Sequence, residues 1–244
     1  MERPRIIIHI LSALDGKITG PFMERPSARA AGGQYGRIRL EYNGDAWLYG
    51  TVTTKEFTGC RPPILDEAED NAFEKDFVAK RDAEIYYVSV DPLGEIGWES
   101  GEFKRAGNPD AHVIEILTEK TPAAYRAYLQ KRGVSYITAG AERLDCQTAC
   151  EKLYRLFAVK TMLICGGGAV NWTFLQEGVV DEISLLLAPA ADGSPDSPAV
   201  FQQSPLLKES RPIEFHLKDM RRLQKDAVHL IYTVERQDRK TEGS

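Results

Sequence analysis

Apolar residues along this chain gather into short blocks separated by polar stretches that carry glycine and proline. Blocks at 5–11, 46–49, 84–90, 112–117, 135–138, 161–165 and 181–188 read as strands, and two longer ones follow at 213–223 and 227–235. Several are nearly unbroken apolar runs, the pattern of strands covered on both faces. Between them the spacing turns helical. Thr121 and Pro122 form an N-cap and first-position pair, followed by Tyr125, Tyr128 and Leu129 at helical spacing. Asp145 caps a second helix whose apolar face is Ala149, Leu153, Leu156 and Phe157. Strand alternating with helix predicts an α/β fold with right-handed crossovers and a mostly parallel central sheet. No helix separates the last two strands. Gln224, Lys225 and Asp226 join them at hairpin length, so the sheet should end in an antiparallel pair.

The block ending at Cys165 runs into Gly166, Gly167, Gly168, Ala169, Val170 and Asn171, and then into a short helix from Trp172 to a glycine at 178. A strand that turns through glycines into a helix N-terminus is an anion site. Its N–H groups are unpaired, the helix dipole is positive there, and missing Cβ atoms let a phosphate approach. A dinucleotide pyrophosphate on Gly166 to Asn171 is one reading; a tight turn that needs glycine for its geometry alone is the other. The spacing is not the G-x-G-x-x-G of a Rossmann fingerprint.

Two further loops follow strand ends, where open α/β sheets bind ligands. Ser12-Ala13-Leu14-Asp15-Gly16-Lys17-Ile18 holds an Asp-Gly turn and offers Ser12, Asp15 and Lys17. Tyr49-Gly50-Thr51-Val52-Thr53-Thr54 offers close backbone approach at Gly50 and hydroxyls at Thr51 and Thr53. Ser89, at the end of the third block, is a third candidate. Residues 21–26 and 60–70 read as loops placed to act as lids, and 188–211, rich in Pro, Ser, Asp and Gly, as a long surface excursion.

Composition narrows the function. The 244 residues are 43% hydrophobic with a net charge of -5, which suits one large or two small domains and argues against nucleic acid as a default partner. No apolar stretch approaches the length of a membrane helix. Four cysteines without a C-x-x-C suit a reducing, cytoplasmic setting. The scattered histidines show no metal-ligand spacing, and neither a G-x-S-x-G nor a P-loop is present, so no metal is expected.

Taken together, Ser12 to Ile18, Asp45 to Thr53, Ile164 to Asn171, Val179 to Ile183 and Ala188-Pro189 resemble the reductase domain of riboflavin biosynthesis, a relative of dihydrofolate reductase. The resemblance covers most of the chain, in order. It implies a three-layer α/β/α, dihydrofolate-reductase-like domain over 1–236 with a polar tail at 237–244, binding NADPH and pairing as a homodimer. Gly50, Thr51, Thr53, Ser89 and Gly166 to Asn171 (Gly166, Gly167, Gly168, Ala169, Val170, Asn171) would hold the cofactor, and Ser12 would lie near a small-molecule substrate. The reaction implied is that of 5-amino-6-(5-phosphoribosylamino)uracil reductase, a hydride passing to the sugar C1 of the ribosylamino group. For such a reaction Asp15 and Lys17 are the catalytic candidates, assisting proton movement or holding substrate hydroxyls. Cys165 stands where many relatives carry a glutamate, and residues 54–63 lack the Asp-x-Pro and arginine common after G-x-x-T. Arg29, Arg37, Arg39 and Arg61 are the alternatives for a phosphate contact. A diverged reductase of another carbonyl, imine or pterin-like compound, or a non-catalytic nucleotide-binding dimer, are the other functions these residues allow.

Overall fold

A computed structural model describes residues 2–66, 75–203 and 210–235. The polar tail at 237–244 lies outside the described residues, as do part of the 60–70 loop and part of the 188–211 excursion. The elements run β1 (Arg5–Ser12), α1 (Pro26–Glu41), β2 (Ala46–Gly50), α2 (Thr51–Phe57), β3 (Tyr86–Val90), β4 (Glu102–Phe103) and β5 (Ala111–Leu117). They continue with α3 (Ala123–Lys131), β6 (Ser135–Thr138), α4 (Cys146–Phe157), β7 (Thr161–Ile164), α5 (Gly168–Gln176), β8 (Glu182–Leu187), β9 (Phe215–Arg222) and β10 (Val228–Val234).

All these strands join one sheet in the order β4-β5-β3-β2-β7-β1-β8-β10-β9, with β6 also on β5. The pairs among β5, β3, β2, β7, β1 and β8 are parallel, as is β6 on β5; β9, β10 and the short β4 pair antiparallel. The apolar runs explain this. In β1, Ile6, Ile8 and Ile10 face one helical layer and Ile7 and Leu11 the other, so both faces are apolar. The first layer holds Ala149, Leu153 and Phe157 of α4 and Phe174 and Leu175 of α5. On the second lie Tyr125, Tyr128 and Leu129 of α3, with Ala28 and Ala31 of α1 over the β1 and β8 end. Three layers result, with a sheet edge closed by an antiparallel hairpin.

Three expectations shift. Residues 26–41 form a helix that the periodicity conceals: its buried side chains are Ala28, Ala31, Gln34 and Arg39, too small or too polar for an apolar stripe. Residues 21–24 of the expected lid are a 3-10 turn with Phe22 buried in the core. The helix after Thr121 begins one residue late, with Pro122 as its N-cap. The Thr121 hydroxyl instead donates to the Pro92 carbonyl at 2.8 Å and accepts from Thr118 N–H at 3.2 Å. Asp145 does cap α4, accepting from Thr148 N–H at 2.9 Å.

Under α1 a polar chain crosses three strands. His9 Nε2 faces the Tyr35 carbonyl at 3.0 Å, and a carbonyl only accepts, so Nε2 carries the proton. His9 Nδ1 therefore accepts from Ser184 Oγ at 2.9 Å, and Ser184 Oγ in turn accepts from His229 Nε2 at 2.7 Å. Both imidazoles are neutral in this arrangement. Burial pushes His9 down to about 3 and His112, enclosed between β3 and β6, down to about 4. An unfolded histidine binds a proton below its ordinary value of 6.5, while these folded ones refuse it until lower pH. Stability is then complete above pH 6.5 and falls as pH drops toward 4. Each of the two should cost roughly 2 kcal/mol by pH 5. Urea midpoints at pH 7 and pH 5 check this, and equal midpoints would contradict it.

Candidate functional site

The carboxyl ends of β1, β7 and β2 lie side by side, and the three loops singled out in the sequence leave the sheet there. The Gly50 N–H donates to the Gly166 carbonyl at 3.0 Å, which ties the second loop to the glycine turn. Gly166 takes φ +112 and is joined to Gly167 by a cis peptide bond. Helix α5 starts at Gly168, four residues before the expected Trp172, with Gly167 as N-cap and no side chain capping it. Its first-turn N–H groups therefore point out at the strand ends, with the helix dipole behind them.

The glycines differ in what their missing side chains allow. A Cβ on Gly50 would meet Val170 Cγ2 at 2.7 Å, so Gly50 lets the two loops close on each other. A Cβ on Gly168 would strike the Ala199 carbonyl. That glycine makes room for the protein's own backbone. Gly167 is different: its nearest neighbour would be Thr53 Oγ1 at 3.9 Å, so its open side faces outward beside a hydroxyl. Ala169 and Val52 on the flanking helices are exposed.

Residues 188–203 fold back as a strap over this end of the sheet. Leu14 N–H donates to Ala190 O at 2.8 Å, Ile18 N–H to Pro198 O at 2.9 Å, and Val200 N–H to Gly16 O at 2.9 Å. On the other side Gln202 N–H reaches Gly168 O at 3.2 Å. Five of the expected site residues serve these contacts or others within the protein. The Asp15 carboxylate accepts from Gly193 N–H at 2.7 Å and Asp192 N–H at 3.0 Å, and the first of these bonds holds it below the usual carboxylate range. Lys17 Nζ donates to Ser197 O at 2.8 Å. Asn171 is fully buried, its amide donating to Val200 O at 2.9 Å. Ser12 is fully buried and donates to its neighbour's carbonyl, Ala13 O, at 2.8 Å. Thr51 donates to Val90 O at 2.6 Å, pinning α2 to β3.

Ser89 sits in the core. It lies opposite Glu115 across the β3–β5 register and has no exposed surface. Burial pushes Glu115 well above the ordinary carboxylate value, with the Asp91 charge adding to it. Asp91, just past β3, accepts from Gly94, Glu95 and Ile96 N–H at 3.2, 2.7 and 3.0 Å and from the Tyr125 hydroxyl at 3.1 Å. It shapes the loop beyond β3, a role no motif announces. The start of the 60–70 loop lies on that same loop, with Gly97 N–H donating to Arg61 O at 2.9 Å and Arg61 paired to Glu99.

Among the described residues there is no cluster of three or more His, Cys, Asp or Glu side chains placed to hold a metal, and no helix long and apolar enough to cross a membrane. All four cysteines are free.

The model of the RibD C-terminal domain matches residues 106–229, about half of the sequence. The chain belongs to that family. Of its curated relatives, one from Archaeoglobus fulgidus is 25% identical over 211 residues, 86% of this chain and 91% of the relative. One from Aquifex aeolicus is 31% identical over 91 residues, 37% of this chain and 40% of the relative. Both are named 2,5-diamino-6-ribosylamino-4(3H)-pyrimidinone 5′-phosphate reductase. The match thus spans less than half the length of the Aquifex relative. A pyrimidine reductase-like protein of Corynebacterium diphtheriae superposes with TM-score 0.66 at 16% identity, covering 96% of this chain and 93% of that one. The riboflavin biosynthesis reductase Rib7 of Saccharomyces cerevisiae gives 0.60 at 17%, covering 96% and 90%. The family's fold is dihydrofolate-reductase-like, as the three layers and terminal hairpin here are.

Proposed function

We propose that this chain is an NADPH-dependent reductase of a phosphorylated ribosylamino-pyrimidine, with the coenzyme lying across Gly166–Val170 and the Gly50–Thr53 turn. The observation that carries the reading is Gly167. Of the three consecutive glycines it is the one whose missing side chain has the most room, its nearest neighbour being Thr53 Oγ1 at 3.9 Å, at the uncapped start of α5. A pyrophosphate there accepts hydrogen bonds from N–H groups that no side chain satisfies. The coenzyme would supply the hydride for the sugar C1 of the ring-opened substrate; the chain's own part is binding and orientation.

Asp15 and Lys17 act in this reading as positioning residues. Each is spent on the strap, and the strap touches both the β1 loop and the glycine turn, so the two sides of the cleft keep their spacing through it. The curated relatives are named for the diaminopyrimidinone rather than the uracil form of the substrate. Both forms carry the same ribosylamino carbon, and the assay should include both.

A homodimer completes the proposal. Among the described residues, strand β9 pairs on one side only and is exposed on both faces, with Leu217 and Met220 uncovered. An open edge of this length is a template for a second copy. Sedimentation giving the mass of one 27.3 kDa chain at micromolar concentration would remove it. Four free thiols suit the reducing cytoplasm.

The deciding experiment is coenzyme oxidation by the purified chain with each phosphorylated ribosylamino-pyrimidine, NADPH and NADH run in parallel. Substrate-dependent oxidation of NADPH is expected. Tight coenzyme binding without turnover of either would move the protein to another carbonyl or imine substrate, and binding of neither nucleotide would end the reading.

A further inference from the structure

Strand alternation sets Glu115 on the same face of β5 as Val113 and Leu117, which pack with Tyr125 and Leu129 of α3. Glu115 has no exposed surface, and neither has Ser89, its partner across the β3–β5 register. One carboxyl oxygen, Oε1, accepts from the Trp98 indole N–H. The other, Oε2, is enclosed without a partner, and so is the Ser89 hydroxyl. Buried polar atoms in folded proteins are bonded, so this pair of orphans calls for an explanation.

The charge around this carboxyl is of one sign. Asp91 acts on it from just past the end of β3. The other groups that face it are uncharged: Tyr87 on β3, Tyr125 on α3, Tyr136 opposite it on β6, and Trp98. Arg126 of α3 spends its guanidinium on the Thr138 hydroxyl at 2.7 Å and the Thr118 carbonyl at 2.9 Å. Among the described residues no basic group pairs with Glu115. A buried carboxylate without a cation gives up its charge by binding a proton. Asp91 receives Gly94, Glu95 and Ile96 N–H and the Tyr125 hydroxyl, whereas Glu115 receives Trp98 alone. A single proton shared out between these two acids therefore belongs on Glu115.

We propose that Glu115 is a neutral carboxylic acid at neutral pH, that its Oε2–H is donated to Ser89 Oγ, and that this proton latches the end of β3. Oε1 is then the carbonyl oxygen that Trp98 requires, and both orphaned atoms gain a partner. The next residue after Ser89 is Val90, whose carbonyl takes the Thr51 hydroxyl, and Asp91 follows with the loop it shapes. Loss of the proton would set a second anion beside Asp91 in an apolar layer, and the end of β3 would open rather than hold it. The latch is independent of the proposed activity; only a loss of coenzyme at high pH would rest on that reading. An unfolded glutamate ionises above its ordinary value of 4.5, so at neutral pH folding takes up a proton. This contribution to stability is complete below pH 4.5 and declines as pH rises, the opposite sense to His9 and His112.

Infrared spectra of the full-length chain at pH 7 test the latch. They should show the carbonyl stretch of an un-ionised carboxylic acid, a band above the amide region that moves down in deuterium oxide. Glu115→Gln should remove it. Ser89→Ala should keep it and move it to higher frequency, because the acid loses its acceptor. Urea titrations supply a second measurement. Between about pH 6 and pH 8 the folding constant of the native chain should fall about tenfold per pH unit relative to Glu115→Gln. The glutamine amide copies the neutral acid, accepting from Trp98 and donating to Ser89, so a variant that cannot fold would itself count against the latch. No acid band in the native chain, a band that survives Glu115→Gln, a band unmoved in Ser89→Ala, or a stability gap constant across this range overturns it. None of these measurements uses coenzyme or substrate, so they stand apart from the proposed activity.

Discussion

Gly167→Glu should weaken coenzyme binding strongly while leaving the protein folded. The backbone at 167 has φ -79 and ψ -175, an extended conformation open to any residue, and a Cβ there meets nothing closer than Thr53 Oγ1 at 3.9 Å. Folding therefore has little to lose. On the proposed reading, binding loses both close approach and attraction, because a carboxylate would occupy the positive end of α5 where the proposal puts the pyrophosphate. A drop of roughly a hundredfold in NADPH affinity, about 2.7 kcal/mol, is expected. Fluorescence titration measures it, and a folded variant that binds normally would show that the coenzyme lies elsewhere. Gly168→Ala supplies the contrast. There the new methyl would collide with the Ala199 carbonyl, so the strap must lift and thermal stability should fall first.

The second large effect lies away from the cleft. Asp91→Ala removes the acceptor for three backbone N–H groups and for the Tyr125 hydroxyl; Asp91 itself has no exposed surface, and only Glu95 among its partners is exposed. The hydroxyl keeps its bond to the Ile96 carbonyl at 2.9 Å, but Glu95 and Ile96 N–H lose their partner. Unmade buried donors at about 1–3 kcal/mol each put the loss at roughly 3–5 kcal/mol. Burial also raises the Asp91 carboxyl above its ordinary value, a cost the native protein already bears and the variant recovers, which sets the estimate below a full sum. A urea midpoint unchanged by the substitution would contradict the account.

Strands were legible because this sheet is covered on both sides. A block such as Ile6 to Leu11 has no choice but to be buried, and its length suits a strand. Helix α1 was not legible, since a face built from Ala28, Ala31, Gln34 and Arg39 carries no hydrophobic signal. At the site, the glycine turn and its meeting with Gly50 and Thr53 could be anticipated from strand ends and missing side chains. What could not be read was which polar group answers to which. Asp15 and Lys17 look like free catalytic side chains in a turn until residues 192–197 are seen against them, and Ser89 looks like a loop hydroxyl until its register opposite Glu115 is known. Four arginines were equal candidates for an anion. Of these, Arg39 proves to be buried against Trp47 and the Tyr49 hydroxyl, which local sequence does not announce.

The strap also sets an order of events during folding. The bonds from Asp15 and Lys17 to residues 192, 193 and 197 span 177 to 180 positions of chain. Contacts of such separation close the largest loops and are among the slowest to form. A chain emerging from the ribosome can assemble β2, β3 and β5 early, since these neighbours lie close in sequence, but β1 must wait for β7 and β8, and the cleft for residue 200 or beyond. Closure of the cleft should therefore be a late event as this protein emerges, and on the proposed reading nucleotide binding follows it.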